Sequence, residues 1–134
     1  SLTVGVTEDP TVSRMTISVT SDDITFEQIK KQLNRSVEVI KVIDLSDISI
    51  NMKEIMFIKV NKCTERDKEE VFRMERVFGL KVVDYDRNSI LIECVNTESK
   101  NNELVKLFSK AFLNRIEVVR GGSVAIESVT RTDR

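Results

Sequence analysis

The sequence contains no histidine among its 134 residues. Histidine is the side chain that most often serves as a general base near neutral pH and binds transition metals. Its absence excludes the standard nucleophilic triads and most zinc or nickel sites. Glycine is scarce as well, because Gly5, Gly79 and the pair Gly121–Gly122 are the four present and cannot form a glycine-rich phosphate loop. The sequence therefore disfavours enzymes that depend on histidine or on a phosphate loop, and it leaves carboxylate chemistry open without indicating a particular Asp/Glu pair.

The sequence also lacks an excess of charge of either sign and a long hydrophobic run. Its 21 basic and 22 acidic residues are closely intermixed, so no basic block is available to bind the phosphates of a nucleic acid. No apolar run approaches the roughly 20 residues of a membrane-spanning helix. Cys63 and Cys94 lie close to or within predicted strands, without the spacing of metal ligands. We expect free thiols in a reducing compartment, with a disulfide as the less favoured alternative.

The second half of the chain carries a complete pattern of strands and helices. An apolar strand over Glu54–Val60 precedes a charged helix over Glu65–Phe78, which Gly79 is placed to cap. Two further strands, a second helix and a final strand follow, at residues 81–85, 89–95, 104–112 and 116–119. Phe108 and Phe112 lie on the apolar stripe of that second helix and are predicted core residues. The order β-α-β-β-α-β is that of a ferredoxin-like unit.

Gly121 and Gly122 follow the last of these strands. We predict that they form a tight turn into one more strand, Ser123–Val129, before a polar tail. The alternative is that the two glycines allow a ligand or another backbone to approach closely.

The N-terminal part resembles the same unit without its beginning. Strands are predicted at Leu2–Thr7, Ser13–Thr20 and Val37–Ile43, with a short helix around Phe26–Leu33. This β-β-α-β order matches the last four elements of a ferredoxin-like unit and lacks the leading strand and helix. We expect the native chain to start upstream of Ser1, although a partner chain that fills the gap is an alternative.

The predicted fold is therefore α+β, with two ferredoxin-like (βαββαβ) units, the N-terminal one truncated to ββαβ. The partial unit spans residues 1–45, a linker spans residues 46–53, and the complete unit spans residues 54–134.

Several stretches of this chain resemble one known family. SLTVGVTEDPTVSRMTI at Ser1–Ile17 is similar to the pattern SLTVxxTxDPxxSRMTI of the regulatory (small) subunit of acetolactate synthase, also called acetohydroxyacid synthase. EQIKKQLN at Glu27–Asn34 and KEIMFIKV at Lys53–Val60 resemble the family's EQIxKQLxKL and REIMLIKV. Two departures stand out. The family's opening strand and helix lie upstream of Ser1, and Arg120–Ile126 is only similar to the family's ARTGxVAL.

The resemblance implies a non-catalytic subunit that binds the thiamine-diphosphate-dependent catalytic subunit and raises its activity. It would confer feedback inhibition by valine in branched-chain amino acid biosynthesis, at an interface between two small amino-acid-binding (ACT) domains of a homodimer. Thiamine diphosphate, magnesium and FAD would belong to the catalytic subunit, with no cofactor in this chain. The location would be the cytoplasm, or an organelle in a eukaryote.

Three residues are candidates for the functional site, and the resemblance suggests the first two of them. Thr3 and Val4 would bind the effector, with the rest of the site upstream of Ser1, although an ordinary strand threonine is the favoured interpretation of Thr3 on the residue alone. Arg14 is a candidate contact for the partner subunit, because arginine is enriched at interfaces. A surface salt bridge is the alternative for Arg14.

Two other functions are weighed against this one. An effector-binding domain of a transcriptional regulator would also be ferredoxin-like, but balanced charge and missing histidine disfavour it. A small enzyme that uses carboxylates would need a paired Asp/Glu constellation, and none stands out in the sequence.

Overall fold

The computed structural model describes residues 1–130, so residues 131–134, the end of the predicted polar tail, lie outside the described part. The described residues form six strands and three helices. Their bounds are β1 Leu2–Val6, β2 Ser13–Ile17, α1 Asp23–Arg35, β3 Ile50–Val60, α2 Glu65–Phe78, β4 Lys81–Tyr85, β5 Ile90–Asn96, α3 Glu98–Ala111 and β6 Ile116–Glu127.

The second unit has the predicted ferredoxin-like topology. Its four strands lie in the order β4-β5-β3-β6, and every neighbouring pair is antiparallel. Strands β4 and β5 lie together on one side of β3, and β6 lies on its other side. This is the split arrangement expected when each helix crosses the same face of the sheet. The α+β class with two units is confirmed.

The core of this unit lies between the sheet and its two helices. Alternate side chains of β3 and β5 face the helices because successive residues of a strand point to opposite faces. These core-facing side chains pack with Val71 and Met74 of α2 and with Leu104 and Phe108 of α3. The buried strand residues are Met56, Ile58, Val60, Ile90, Ile92 and Cys94. Phe108 and Phe112 are confirmed as core residues, with ring centroids 5.9 Å apart.

Local signals fix the ends of α2 as the sequence predicts. Thr64 and Asp67 form a capping box, in which each side chain accepts a hydrogen bond from the other residue's backbone N–H. At the other end Gly79 adopts the left-handed conformation, with φ 68°, and its N–H donates to the Glu75 carbonyl. The helix therefore begins and ends where short-range chemistry satisfies its free backbone groups.

The first unit consists of the antiparallel hairpin β1–β2 and helix α1. The predicted strand at Val37–Ile43 is wrong, because these residues form a turn and irregular chain. Val37 is fully exposed and Ile40 is 83% exposed. A valine-rich segment becomes a strand only when it finds a neighbouring strand for its backbone hydrogen bonds, and the sheet formed by β1 and β2 has no third strand within residues 1–130.

Strands β3 and β6 are both longer than predicted. β3 begins at Ile50, so that part of the predicted linker pairs with the end of β6. The predicted turn at Gly121–Gly122 is wrong, because β6 runs through both glycines as one strand. The register of β6 against β3 shifts between Glu54 and Met56, which makes this point a β-bulge.

Candidate functional site at the meeting point of the two sheets

Hairpin β1–β2 exposes its apolar face. Leu2 pairs with Ile17 and Val4 pairs with Met15, so these residues and Val6 share one face. We call Leu2, Val4, Val6, Met15 and Ile17 the apolar hairpin face. Their exposed fractions run from 43% for Ile17 to 70% for Val6. A contiguous exposed apolar surface of this kind is a place where another segment or another chain can pack.

The opposite face of the hairpin is polar and approaches the four-stranded sheet. Thr3 and Thr16 are paired on this face and both are half-buried. The Thr3 hydroxyl donates to the carbonyl of Ser123 in β6 at 2.9 Å, across 120 positions of sequence. The hairpin therefore turns its polar side inward and its apolar side outward, the reverse of an ordinary half-buried strand pair.

The structure separates the residues that the sequence suggested for the site. Val4 lies at the centre of the apolar hairpin face, whereas Thr3 lies on the other side, with its hydroxyl on Ser123. Arg14 is opposite Gly5 in the ladder, on the Thr3 side, and its side chain is exposed. The alternative of a salt bridge for Arg14 finds no ion-pair partner within residues 1–130.

The two glycines of the β6 bulge lie in close contact with their neighbours, Gly122 with the hairpin and Gly121 with strand β3. A Cβ on Gly122, whose φ is +83°, would stand 2.9 Å from Cγ2 of Thr3. A Cβ on Gly121 would stand 3.0 Å from Cγ2 of Ile55 in β3. Of the two expectations for this pair, the structure supports close approach and not a tight turn, and the groups that approach most closely are the side chains of Thr3 and Ile55.

A buried carboxylate lies on the other side of the same bulge. Glu54 is opposite Ser123 in the ladder and only 4% exposed. Its Oε1 accepts from Nε and Nη2 of Arg120 at 3.1 and 2.8 Å and from Nδ2 of Asn101 at 2.9 Å. Arg120 also donates to Asn102 Oδ1 at 2.6 Å. We call Glu54, Asn101 and Arg120 the carboxylate cluster, which ties the bulge to the first turns of α3.

The cluster keeps Glu54 ionised. Burial alone would raise the pKa of the Glu54 carboxyl, but the hydrogen bonds from Arg120 and Asn101 outweigh it and hold the pKa below its ordinary 4.5. Asn101 Oδ1 and Ser123 Oγ are also buried here, without a hydrogen-bond partner among residues 1–130. Buried polar atoms are usually paired, so this is the most polar part of an otherwise apolar interior.

Sequence reasoning missed the carboxylate cluster, although two signals pointed to it. Glu54 is in phase with Met56, Ile58 and Val60, so a charged residue occupies a core-facing position of the strand. Asn101 precedes Leu104 by three residues and therefore lies on the apolar stripe of α3. A polar residue in phase with core residues predicts a buried partner.

The two cysteines lie in the interior of the second unit. Cys63 and Cys94 are free and buried, and burial raises the pKa of the Cys94 thiol to about 11. Within residues 1–130, no group of three or more Cys, Asp or Glu residues is arranged to hold a metal ion. No helix in that range is long and apolar enough to cross a bilayer.

Comparison with known proteins covers both units. The family described as "Small subunit of acetolactate synthase" matches residues 53–129, and the "AHAS small subunit-like ACT domain" matches residues 1–41. The acetolactate synthase small subunit of Aquifex aeolicus is 38% identical over 125 residues, which cover 93% of this chain and 64% of that protein. That of Haemophilus influenzae is 35% identical over 126 residues, covering 94% and 76%.

A solved structure gives the same result in three dimensions. The acetolactate synthase small subunit of Thermotoga maritima superposes with a TM-score of 0.83 and 34% sequence identity, covering 97% of this chain and 80% of that one. The resemblance found in the sequence is thereby confirmed over both units. The chain belongs to the family of acetolactate synthase small subunits.

Proposed function

We propose that this chain is the regulatory part of an acetolactate synthase, which binds the thiamine-diphosphate-dependent catalytic subunit and raises its rate. It also makes that enzyme sensitive to valine. The observation that carries the proposal is the match of family models to both units of the chain. Thiamine diphosphate, magnesium and FAD belong to the catalytic chain. The alternative of a transcriptional regulator is not favoured, because the reported relatives are small subunits of acetolactate synthase.

The test is reconstitution with the catalytic subunit of the same organism. Acetolactate formation is measured with the catalytic subunit alone, with added chain, and with added chain plus valine. We expect the chain to raise the rate, and valine to lower it only when the chain is present. A rate that is unchanged by the chain, with or without valine, would remove the proposal.

The apolar hairpin face supports the proposal that two copies of the chain associate through the first unit. Val4, 63% exposed, belongs to the effector site in this proposal, where a second copy of the chain covers it and a branched aliphatic side chain is bound. When an apolar ligand binds between two such faces, the ligand and both faces are removed from water. Ligand binding and dimer formation therefore favour each other. Thr3 orients the strand that carries Val4.

The dimer is tested by one charge substitution and a matched control. Val4→Lys places a charge in the apolar hairpin face, whereas Val77→Lys places one at a 73% exposed valine of α2. Analytical ultracentrifugation should give a monomer for the first variant and the wild-type dimer for the second. Equal association of both variants would contradict the assignment of the hairpin as the seam.

Arg14 is proposed to contact the catalytic subunit, because it is exposed at the rim of the hairpin. Arg14→Ala should raise the concentration of chain needed for half-maximal activation. Arg66→Ala is the control, since Arg66 is an exposed arginine on α2 in the other unit. If both variants activate at the wild-type concentration, Arg14 has no part in the interface.

A further inference from the structure

The two units of the chain meet where β1 lies against β6. Their one direct side-chain hydrogen bond within residues 1–130 joins Thr3 Oγ1 to the Ser123 carbonyl at 2.9 Å. Ser123 is buried, whereas the hairpin residues around Thr3 are mostly exposed. Ser123 is the one buried residue of β6, so a displacement of β1 would act on β6 at its buried point.

The fit at this point is steric as well as polar. A Cβ on Gly122 would stand 2.9 Å from Cγ2 of Thr3 and 3.7 Å from Cβ of Ser1. Separations under 3.0 Å are essentially never seen for real Cβ atoms. With the hairpin in this position, a side chain at residue 122 would force Thr3 to shift. We call the contact of Thr3 with Gly122 and Ser123 the joint.

The joint is continuous with the carboxylate cluster. Ser123 is opposite Glu54 in the ladder, and Arg120, three residues before Ser123, donates two hydrogen bonds to Glu54. Asn101 connects Glu54 to α3. Packed cores and hydrogen-bonded networks of this kind carry displacements between sites when they have alternative arrangements.

We propose that the joint couples the two units, so that a change in position of hairpin β1–β2 is passed through the β6 bulge to the carboxylate cluster and α3. The inference rests on the proposed function, in which the hairpin belongs to the effector site and the second unit must respond to effector binding. Coupling between two sites commonly changes affinity by 5- to 150-fold. A disrupted joint should leave activation in place and weaken the response to effector by about fivefold or more.

The test is Gly122→Ala in the complex with the catalytic subunit. Gly79→Ala is the matched control, because Gly79 also has a positive φ, +68°, but a Cβ there meets no atom within 4 Å. Both variants place an alanine in the left-handed conformation and share that strain. Only the new Cβ of Gly122→Ala would clash with Thr3. Thr3→Ser added to Gly122→Ala removes the methyl that the new Cβ would meet and keeps the hydroxyl. Thr3→Ser alone is the control that measures whether loss of the Thr3 methyl changes effector binding directly.

Two readouts keep this inference separate from the proposed function. The first is the valine concentration for half-inhibition of the complex, which should rise for Gly122→Ala, stay unchanged for Gly79→Ala and recover in the double variant. The second is amide hydrogen exchange of the chain alone, in which Gly122→Ala should speed exchange in both Leu2–Val6 and the first turns of α3. Circular dichroism confirms that each variant is folded.

Different outcomes test the proposed function and the joint. A wild-type chain that gives neither activation nor valine sensitivity overturns the proposed function, while hydrogen exchange still decides the joint. Equal effects of Gly122→Ala and Gly79→Ala, or a double variant that does not recover, overturn the joint. Faster exchange confined to the hairpin, with α3 unchanged, overturns it as well.

Discussion

Arg120→Met would leave Glu54 as a buried carboxylate without its cation. Arg120 supplies two of the three side-chain hydrogen bonds to Oε1, and Glu54 is 4% exposed. Breaking a buried ion pair from one side costs about 3–5 kcal/mol. Because the Arg120 side chain is 30% exposed, water replaces part of what is lost. We expect the free energy of unfolding to fall by about 2–4 kcal/mol near neutral pH.

The pH dependence of this loss identifies its cause. In the wild type the pKa of Glu54 is depressed, so its contribution to stability is present above the ordinary value and is lost as pH falls through the folded-state pKa. In Arg120→Met uncompensated burial should raise that pKa, so the variant gains stability relative to wild type on acidification. The difference between the two proteins should therefore shrink between about pH 7 and about pH 4.

The assay is urea unfolding followed by far-ultraviolet circular dichroism, because the chain has no tryptophan to report by fluorescence. Adding Glu54→Gln to Arg120→Met removes the unpaired charge and should restore most of the loss. Arg66→Met, an exposed arginine of α2, should change stability by less than about 0.5 kcal/mol. A loss under about 1 kcal/mol for Arg120→Met, or one that is independent of pH, would refute the reasoning.

Three further predictions concern the second unit. Asp67→Asn should lower stability by about 1–2 kcal/mol near neutral pH, since hydrogen bonds from Arg115 and Thr64 hold the Asp67 pKa at about 2. Its difference from wild type in urea unfolding should vanish as pH falls from about 4 to about 2, and a constant difference would contradict it. Cys94 should react with a thiol reagent only as fast as the protein unfolds, because it is fully buried with its pKa raised to about 11; rapid labelling at low denaturant would contradict this. Phe108→Ala should cost about 3–5 kcal/mol in the same unfolding assay, since the ring is fully buried, and a loss below about 1 kcal/mol would mean that the core is not packed as described.

Local patterns in the sequence predicted the second unit well. The spacing of Leu104 and Phe108 identifies the buried face of α3. Gly79 ends α2 as expected. These signals suffice because strand alternation, helix periodicity and capping each depend on residues a few positions apart.

The candidate site could not be predicted in the same way. The bond from Thr3 to Ser123 spans 120 positions and that from Arg120 to Glu54 spans 66. Which of Thr3 and Val4 faces the other unit depends on how the whole hairpin docks, and alternation alone says only that they face opposite ways.

The sequence by itself determined the α+β class, the family, and the helices and core-facing positions of the second unit, since each depends on short-range spacing and residue type. Only the tertiary structure decided that residues 37–43 form no strand and that Gly121–Gly122 continue β6 as a bulge. A strand needs a neighbour with free backbone groups, and a bulge needs a partner strand in a particular register. Those conditions are met, or not met, only when distant parts of the chain come together.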